Sequence, residues 1–505
     1  MLSKSVIPLV EGEVIRDWQL VPQTVALFPY DSELRASLAD PTVGRLLWRH
    51  RSQLRLRREP NGTHEEIGLT WFEWSRFHPE RFSVPHGIAF AFVATHNHFV
   101  LDRGGKVFNR SAPVIKLPPG GTVDDHLALL GLLNSAAACF WMKQVFHDKG
   151  NRGEGGGITD EEYERFHEFD GTKLKQFPIS GTAPLDRART LDELAQELTA
   201  TLPDALCTAQ TPTHDLLDCA EKQADNLRAR MVALQEELDW ECYRLYGLTD
   251  ENLTLPETEV PPVDKGQRAF EIVLARKVAA GETSTTWFER HGSTPITELP
   301  AEWPEPYREL VNRRIALIEQ DRAIGLIERP EYKRRWNWEA WDSLQAKALK
   351  TWLLNRLEDK ALWAEPRLTT TARLADVMRR DGDFLEVVRL YTGRIDADLT
   401  ETVTELVLGE AVPFLAAYRY RDAGLRKRKV WEQVWELQRR EDAGEDVGAI
   451  PVPPKYASGD FANVTAWRLR GKLDVPKERF VLYPGTQLGA DTTPVIGWAG
   501  WDHLA

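Results

Sequence analysis

Long hydrophobic runs, paired cysteines and the short motifs of self-sufficient catalysis are all scarce in this sequence, and each shortage excludes something. No apolar run reaches the roughly 18 residues of a membrane span, and the opening MLSKSVIPLVEGE lacks a signal-peptide stretch. A cytoplasmic location with no membrane partner is therefore expected. The four cysteines, Cys139, Cys207, Cys219 and Cys242, are never in Cys-x-x-Cys spacing, which points to reduced thiols and away from a disulfide or zinc framework. There is no GxSxG elbow, no P-loop, no HExxH and no HxE paired with PCxxC, so no catalytic residue and no metal site is assigned. The glycine-rich HDKGNRGEGGGITD at 147–160 neither follows a strand nor opens with GxGxxG. It reads as a flexible loop that orders on a partner.

What is present is a long, ordinary globular composition. At 505 residues, 42% hydrophobic and 28% charged, the chain exceeds what one core serves, and two to four domains are expected. Strand-like runs occupy the first 120 residues: VIRDWQL, GIAFAFVA, HFVLD and PVIKLP. One apolar helix is expected over 122–146, with Thr122 as N-cap and Asp124 and Asp125 in its first turn. From 186 to 248 the pattern is helical, and Ala220, Ala224, Leu227, Met231, Leu234 and Leu238 form a heptad seam. A Pro-rich linker at 254–266 precedes helices expected at 305–325, 339–360, 368–381, 398–409 and 421–441. A second break at 444–455 leads into a Trp- and Pro-rich tail. The fold class is α+β: a mixed α/β domain followed by a mainly α-helical body.

Charge is unevenly spread. Between Val43 and Leu117 there are twelve Arg or Lys against six Asp or Glu, a local surplus of six on a chain whose net charge is −13. Such a module either grips phosphates, releasing their counterions, or is neutralised by the next domain. THNHFVLDRGGKVFNRSAPVIKLP, 95–118, sits at its end. Gly104 and Gly105 allow a turn joining two strands, and duplex readout needs cations with Arg, Asn or Ser side chains on such scaffolds. The candidate DNA-binding set is Arg49, Arg51, Arg55, Arg57, Arg76, Arg81, His96, Asn97, His98, Arg103, Lys106, Asn109, Arg110 and Ser111, extended by Lys149, Arg152 and Lys173. The interleaved Trp71, Trp74, Phe77, Phe82, Phe99 and Phe108 read as core before they read as stacking platforms. His96 and His98, at i and i+2 with Asp102 nearby, keep a metal-dependent nuclease as an alternative.

Several stretches together carry a resemblance. VPHGIAFAFVATHNHFVLDRGGKVFNRSAPVIKLP, HLALLGLLNSAAACFWMKQVFHDKG and FDGTKLKQFPIS, followed by ELDWECYRLYGL at 237–248, IERPEYKRRW at 327–336 and WRLRGKLDVPKERFVLYP at 467–484, occur in an order that resembles the PglX family. These are large adenine-specific DNA methyltransferases of the BREX (phage growth limitation) defence systems. The LLNS and LKQFPI elements also resemble target-recognition domains of combined restriction and methylation enzymes. The resemblance implies a target-recognition domain at 1–180, a long-helix spacer at 181–253, a helical domain at 267–443 and a small C-terminal segment at 456–505. It implies double-stranded DNA as partner, with a catalytic methyltransferase module and other phage-defence proteins alongside. AdoMet is expected for the full-length enzyme and no cofactor for this chain. The sequence departs from the family by lacking both the glycine-rich AdoMet motif and Asn-Pro-Pro-Tyr: its Pro-Pro pairs lie in KLPPGG, EVPPVD and VPPKY. The chain then reads as the specificity half of a longer enzyme, its pattern continuing past Ala505, or as a separate subunit. A protein-interaction scaffold carried by the helices from 186 to 441 is the other alternative.

Overall fold

The computed structural model describes residues 6–82, 84–151, 161–470 and 478–500. Its N-terminal third is built on three small three-stranded sheets. Val6–Val10 pairs antiparallel with Thr24–Leu27 and parallel with Val107–Phe108. Gly87–Phe90 lies between Phe99–Asp102 and Val114–Ile115. Val93–Ala94 joins Arg165–Glu168, which pairs with His147–Asn151. The GIAFAFVA run therefore serves two sheets. The Gly104-Gly105 turn forms, at φ +82° and +71°, yet it does not make a hairpin, because the strand before it belongs to the second sheet and the strand after it to the first. Lys106 closes the turn by donating to the Asp102 carboxylate at 3.2 Å and the Gly104 carbonyl at 3.0 Å.

The expected single helix over 122–146 is two. Thr122 does cap the first, Val123–Leu133, in a capping box with Asp125. The helix stops because Asn134 bridges to a strand: its Oδ1 accepts from Phe99 N at 3.1 Å and its Nδ2 donates to Phe99 O at 2.9 Å. Ser135 then caps the second helix, Ala136–Val145, by accepting from Ala138 N. Within VIRDWQL, Ile15–Arg16 and Gln19–Leu20 pair around a turn whose residues, Asp17 and Trp18, hold φ of +48° and +68°. Left-handed backbone at such side chains costs roughly 1–2 kcal/mol each. Distant partners hold it: Trp18 Nε1 donates to Gln235 at 2.9 Å, and Asp17 accepts from Asn337 N at 3.1 Å.

Helices dominate the remainder. Leu185–Thr201 packs along His214–Leu245, whose seam residues are all buried. One continuous core runs from Trp18 through Ile88, Leu130, Leu198, Trp240 and Trp287 to Trp341, crossing the linkers on which the expected domain boundaries rest. A second core gathers the helices between 341 and 409, among them Gly382–Thr392, a helix additional to those expected, which buries Phe384, Val387 and Val388. The tail is not a separate segment. Phe480–Leu482 pairs parallel with Ala411–Pro413, and Val495–Trp498 pairs with Thr369–Thr370, completing a four-stranded sheet. The cysteines are free thiols, with Cys139, Cys207 and Cys242 buried and Cys219 exposed. No helix among the described residues is long and apolar enough to cross a membrane.

Candidate nucleic-acid interface

The middle of the expected DNA-reading set is turned inward. His96, Asn97 and His98 are buried, and their polar atoms are committed. His96 Nε2 donates to Pro330 O at 3.0 Å, while Asn97 Nδ2 donates to Leu133 O at 2.7 Å and Ser135 O at 3.1 Å. His98 Nδ1 lies 3.3 Å from Arg334 and 3.8 Å from Asp17. Burial first, then Lys143 beside His96 and Arg16 beside His98, holds both rings well below the usual histidine range. They are neutral structural groups, and a duplex cannot reach them. The two-histidine metal reading fails on the same geometry: Asp102 is occupied by Lys106, and among the described residues no group of three His, Cys, Asp or Glu is placed to hold a metal ion.

What covers these histidines explains two of the stretches quoted above. IERPEYKRRW passes beneath the strands and inserts Lys333, fully buried, among Glu236 (3.0 Å), Asp239 (2.9 Å) and Glu328 (2.8 Å). Arg334 donates to Asn134 Oδ1 at 2.8 Å and Gln235 Oε1 at 3.1 Å. Asp239, from ELDWECYRLYGL, also accepts from Ala136 N at 2.9 Å, at the start of a helix. Arg268 with Glu271 and Arg314 with Glu237 extend the buried ionic layer. Every cation there faces a carboxylate, as burial requires.

Much of the basic surplus is likewise spent internally. Arg51 binds Asp442 and Glu441, each at 2.5 Å, and Arg55 binds Glu441 at 2.8 Å, docking the short helices Pro41–Trp48 and Arg51–Arg55 onto Asp422–Asp442. Arg57 donates to the carbonyls of Leu54, Trp71 and Glu73. Phe28, Tyr30, Trp74, Phe77 and Phe82 pack on one another with ring centroids 4.1 to 6.2 Å apart. Phe99 stacks on Phe90. Phe90 and Phe99 are core, as the sequence favours, while Phe28, Trp74, Phe77 and Phe82 form a half-buried cluster around Tyr30.

The rest lies at the surface in three places. Arg76 (φ +55°) has an exposed side chain 3.4 Å from Glu59, and Arg81 is exposed nearby. Arg103, paired with Asp192 at 2.5 Å, and Lys106 face the helix Leu185–Thr201. Asn109, Arg110 and Ser111 form a braced loop beside Val93–Ala94 and Arg165–Glu168. Ser111 Oγ accepts from Gly12 N at 2.8 Å and donates to Asn109 Oδ1 at 2.7 Å, and Asn109 donates to Glu11 at 3.1 Å. Phe92 N donates to Ser111 O at 2.9 Å. Gly12 is required there, since a Cβ would stand 2.2 Å from the Ser111 carbonyl oxygen. Arg110 projects from this loop with no hydrogen bond or ion pair among the described residues. Lys149 pairs with Glu168 on the adjoining strands; Lys173 sits half-buried in the short helix Gly171–Leu174. Arg152 lies outside the described residues, with most of the glycine-rich stretch. Arg49 joins none of these places and lines a cavity against Asp422–Asp442.

Sequence reasoning also passed over Arg419, Arg428 and Arg470, which share that cavity with Arg49. The available signal was the run RKRKVWEQVW at 426–435, where Trp431 and Trp435 share one helix face with Arg428 beside them. A family model for DUF7008, a domain of unknown function, matches residues 231–505. The chain is also 48% identical, over 522 aligned residues, to the adenine-specific methyltransferase PglX of Streptomyces coelicolor, with 99% of this chain and 43% of that protein covered. It thus spans less than half the length of the curated relative it matches.

Proposed function

This chain belongs to the DUF7008 family, and we propose that it recognises double-stranded DNA on behalf of an adenine-specific methyltransferase of the PglX type. The observation that carries this reading is the 48% identity along 99% of the chain to a protein named for that activity. The surface supports it at the loop 109–111, where Arg110 is exposed on a braced scaffold, and at Arg76 and Arg81. Exposed cations there are suited to phosphates, and Asn109 and Ser111 to polar contacts. The buried His96, Asn97 and His98 and the docked Arg51, Arg55 and Arg57 have no part in it.

Methyl transfer from AdoMet belongs, in this reading, to a module outside this chain. The residues here do not fit AdoMet: the sheets of the described residues are small, and their two parallel pairs, at Leu9–Val10 and Ala411–Pro413, are not followed by a glycine-rich turn into a helix. The chain's own work is to bind and orient the duplex. Placement within a phage-defence system, with further defence proteins as partners, follows from the same similarity.

The test is binding of the purified chain to random duplex DNA over a salt series, with and without AdoMet. Steeply salt-dependent binding indifferent to AdoMet is expected; absence of binding at low salt would sink the reading. A scaffold role is the second reading, favoured by Phe414, Leu415 and Tyr418, whose exposures are 47%, 48% and 50%. Deleting 1–180 would not isolate that role, because those residues share a core with the helices. Surface substitution of Phe414 and Tyr418 would.

A further inference from the structure

The cavity between Pro41–Trp48 and Asp422–Asp442, of about 410 Å³, has the size of a small-ligand site, and its lining is chemically one-sided. Arg49, Arg419, Arg428 and Arg470 converge on it against one lining carboxylate among the described residues, Glu478, which lies 3.6 Å from Arg419. Arg428 also pairs with Glu432 at 2.8 Å, and Arg470 has a partner of its own, whereas deeper in the interior Lys333 faces three carboxylates and Arg268 and Arg314 one each. Arg49 has no carboxylate within ion-pair distance among the described residues. Burial first, then the charge of Arg428, holds its guanidinium below the usual arginine range, with Glu478 opposing and Arg419 adding to the effect. The remaining lining is largely aromatic. Tyr456 stacks on Tyr420 at 5.2 Å and on Trp431 at 6.0 Å, with interplanar angles of 20° and 15°. Arg470 lies 4.1 Å over the Tyr456 ring, and Arg428 4.8 Å over Trp435.

We infer that this cavity is a nucleotide-binding site: the converging guanidinium groups take phosphate oxygens, and the aromatic wall takes a planar base. Guanidinium forks suit phosphate because they bind it through paired hydrogen bonds, and rings beside them suit bases through stacking. The same chemistry admits two sources, a free nucleoside phosphate or one nucleotide of a single strand. The inference does not rest on duplex recognition, since the cavity shares no residue with the 109–111 loop or with Arg76 and Arg81.

The experiment is calorimetric titration of the full chain with ATP, AMP, inorganic phosphate and a short single-stranded oligonucleotide, repeated on Arg49→Ala and Arg428→Gln. Saturable binding of ATP or AMP, weakened at least tenfold in both variants at unchanged melting temperature, is the expected result for a free nucleotide. Binding of the oligonucleotide alone, weakened in the same variants, assigns the site to a strand. Binding of no nucleotide, or binding equal in wild type and both variants, overturns the site. Duplex binding lost on Arg110→Ala but kept in Arg49→Ala leaves the recognition reading standing whichever way the cavity falls.

Discussion

Lys333 and Arg110 are both cations from stretches rich in positive charge, and they have opposite company. Lys333 has lost all contact with water and gained three carboxylates within 3.0 Å. Arg110 stands in solvent on a braced loop with no acidic partner among the described residues. The first welds the 327–336 stretch to the helix His214–Leu245, whose Asp239 in turn holds Ala136 N. The second is available to a phosphate. Counting charges along the sequence cannot separate the two, because what separates them is the set of residues brought in from elsewhere in the chain.

The largest effect that would break this comparison is at the weld. Lys333→Ala leaves Glu236, Asp239 and Glu328 facing one another in the interior and is expected to cost about 3–5 kcal/mol, read as a fall in the urea midpoint. Acid comes next. His167 is held down to about 4 and His291 to about 3, in both cases by burial first, and His96 and His98 lie well below the usual range. The unfolded chain takes up protons on these rings below about 6.5 while the folded chain does not. Their contribution is therefore whole above that pH and lost as pH falls toward 4 and 3. Glu236 acts in the opposite sense: burial pushes its carboxyl up to about 7, so its contribution is whole below the ordinary carboxylate pKa and declines as pH rises to 7. Four histidines outweigh Glu236 and Asp17, whose carboxyl burial also raises, so unfolding midpoints should drop between pH 6.5 and 5. Glu236→Gln should steepen that drop, and an unchanged slope would remove Glu236 from the account.

Smaller effects sharpen the surface half. Arg51→Ala, which removes one of the cations held by Asp442 and Glu441 and leaves them Trp48 and Arg55, should cost about 1.5–3 kcal/mol and open the 41–55 segment to limited proteolysis. Arg110→Ala should change stability by less than about 0.5 kcal/mol while lowering the salt slope of duplex binding by about one.

Local features of the fold were legible in the sequence and distant ones were not. Thr122 announces a helix start because its cap partner is three residues away, and the 220–238 seam announces a buried helix face because its period is local. Asn134 ends a helix only because Phe99 is there to pair with it. His96 and His98 look like surface ligands until Pro330 and Arg334 cover them. The C-terminal sheet escaped notice because its strands are two to four residues long and drawn from 369 to 498. Of the candidate set, Arg76, Arg81 and Arg110 are exposed, whereas the arginine-lined cavity assembles from residues more than 350 positions apart.

The most direct measurement is the salt dependence of duplex DNA binding by the full chain against a triple variant, Arg76→Ala, Arg81→Ala and Arg110→Ala. If these exposed cations carry recognition, binding weakens for all sequences alike and the slope falls by up to about three. An unchanged slope and affinity, with the wild type binding normally, would contradict the account and return the search to the charges now assigned to the interior.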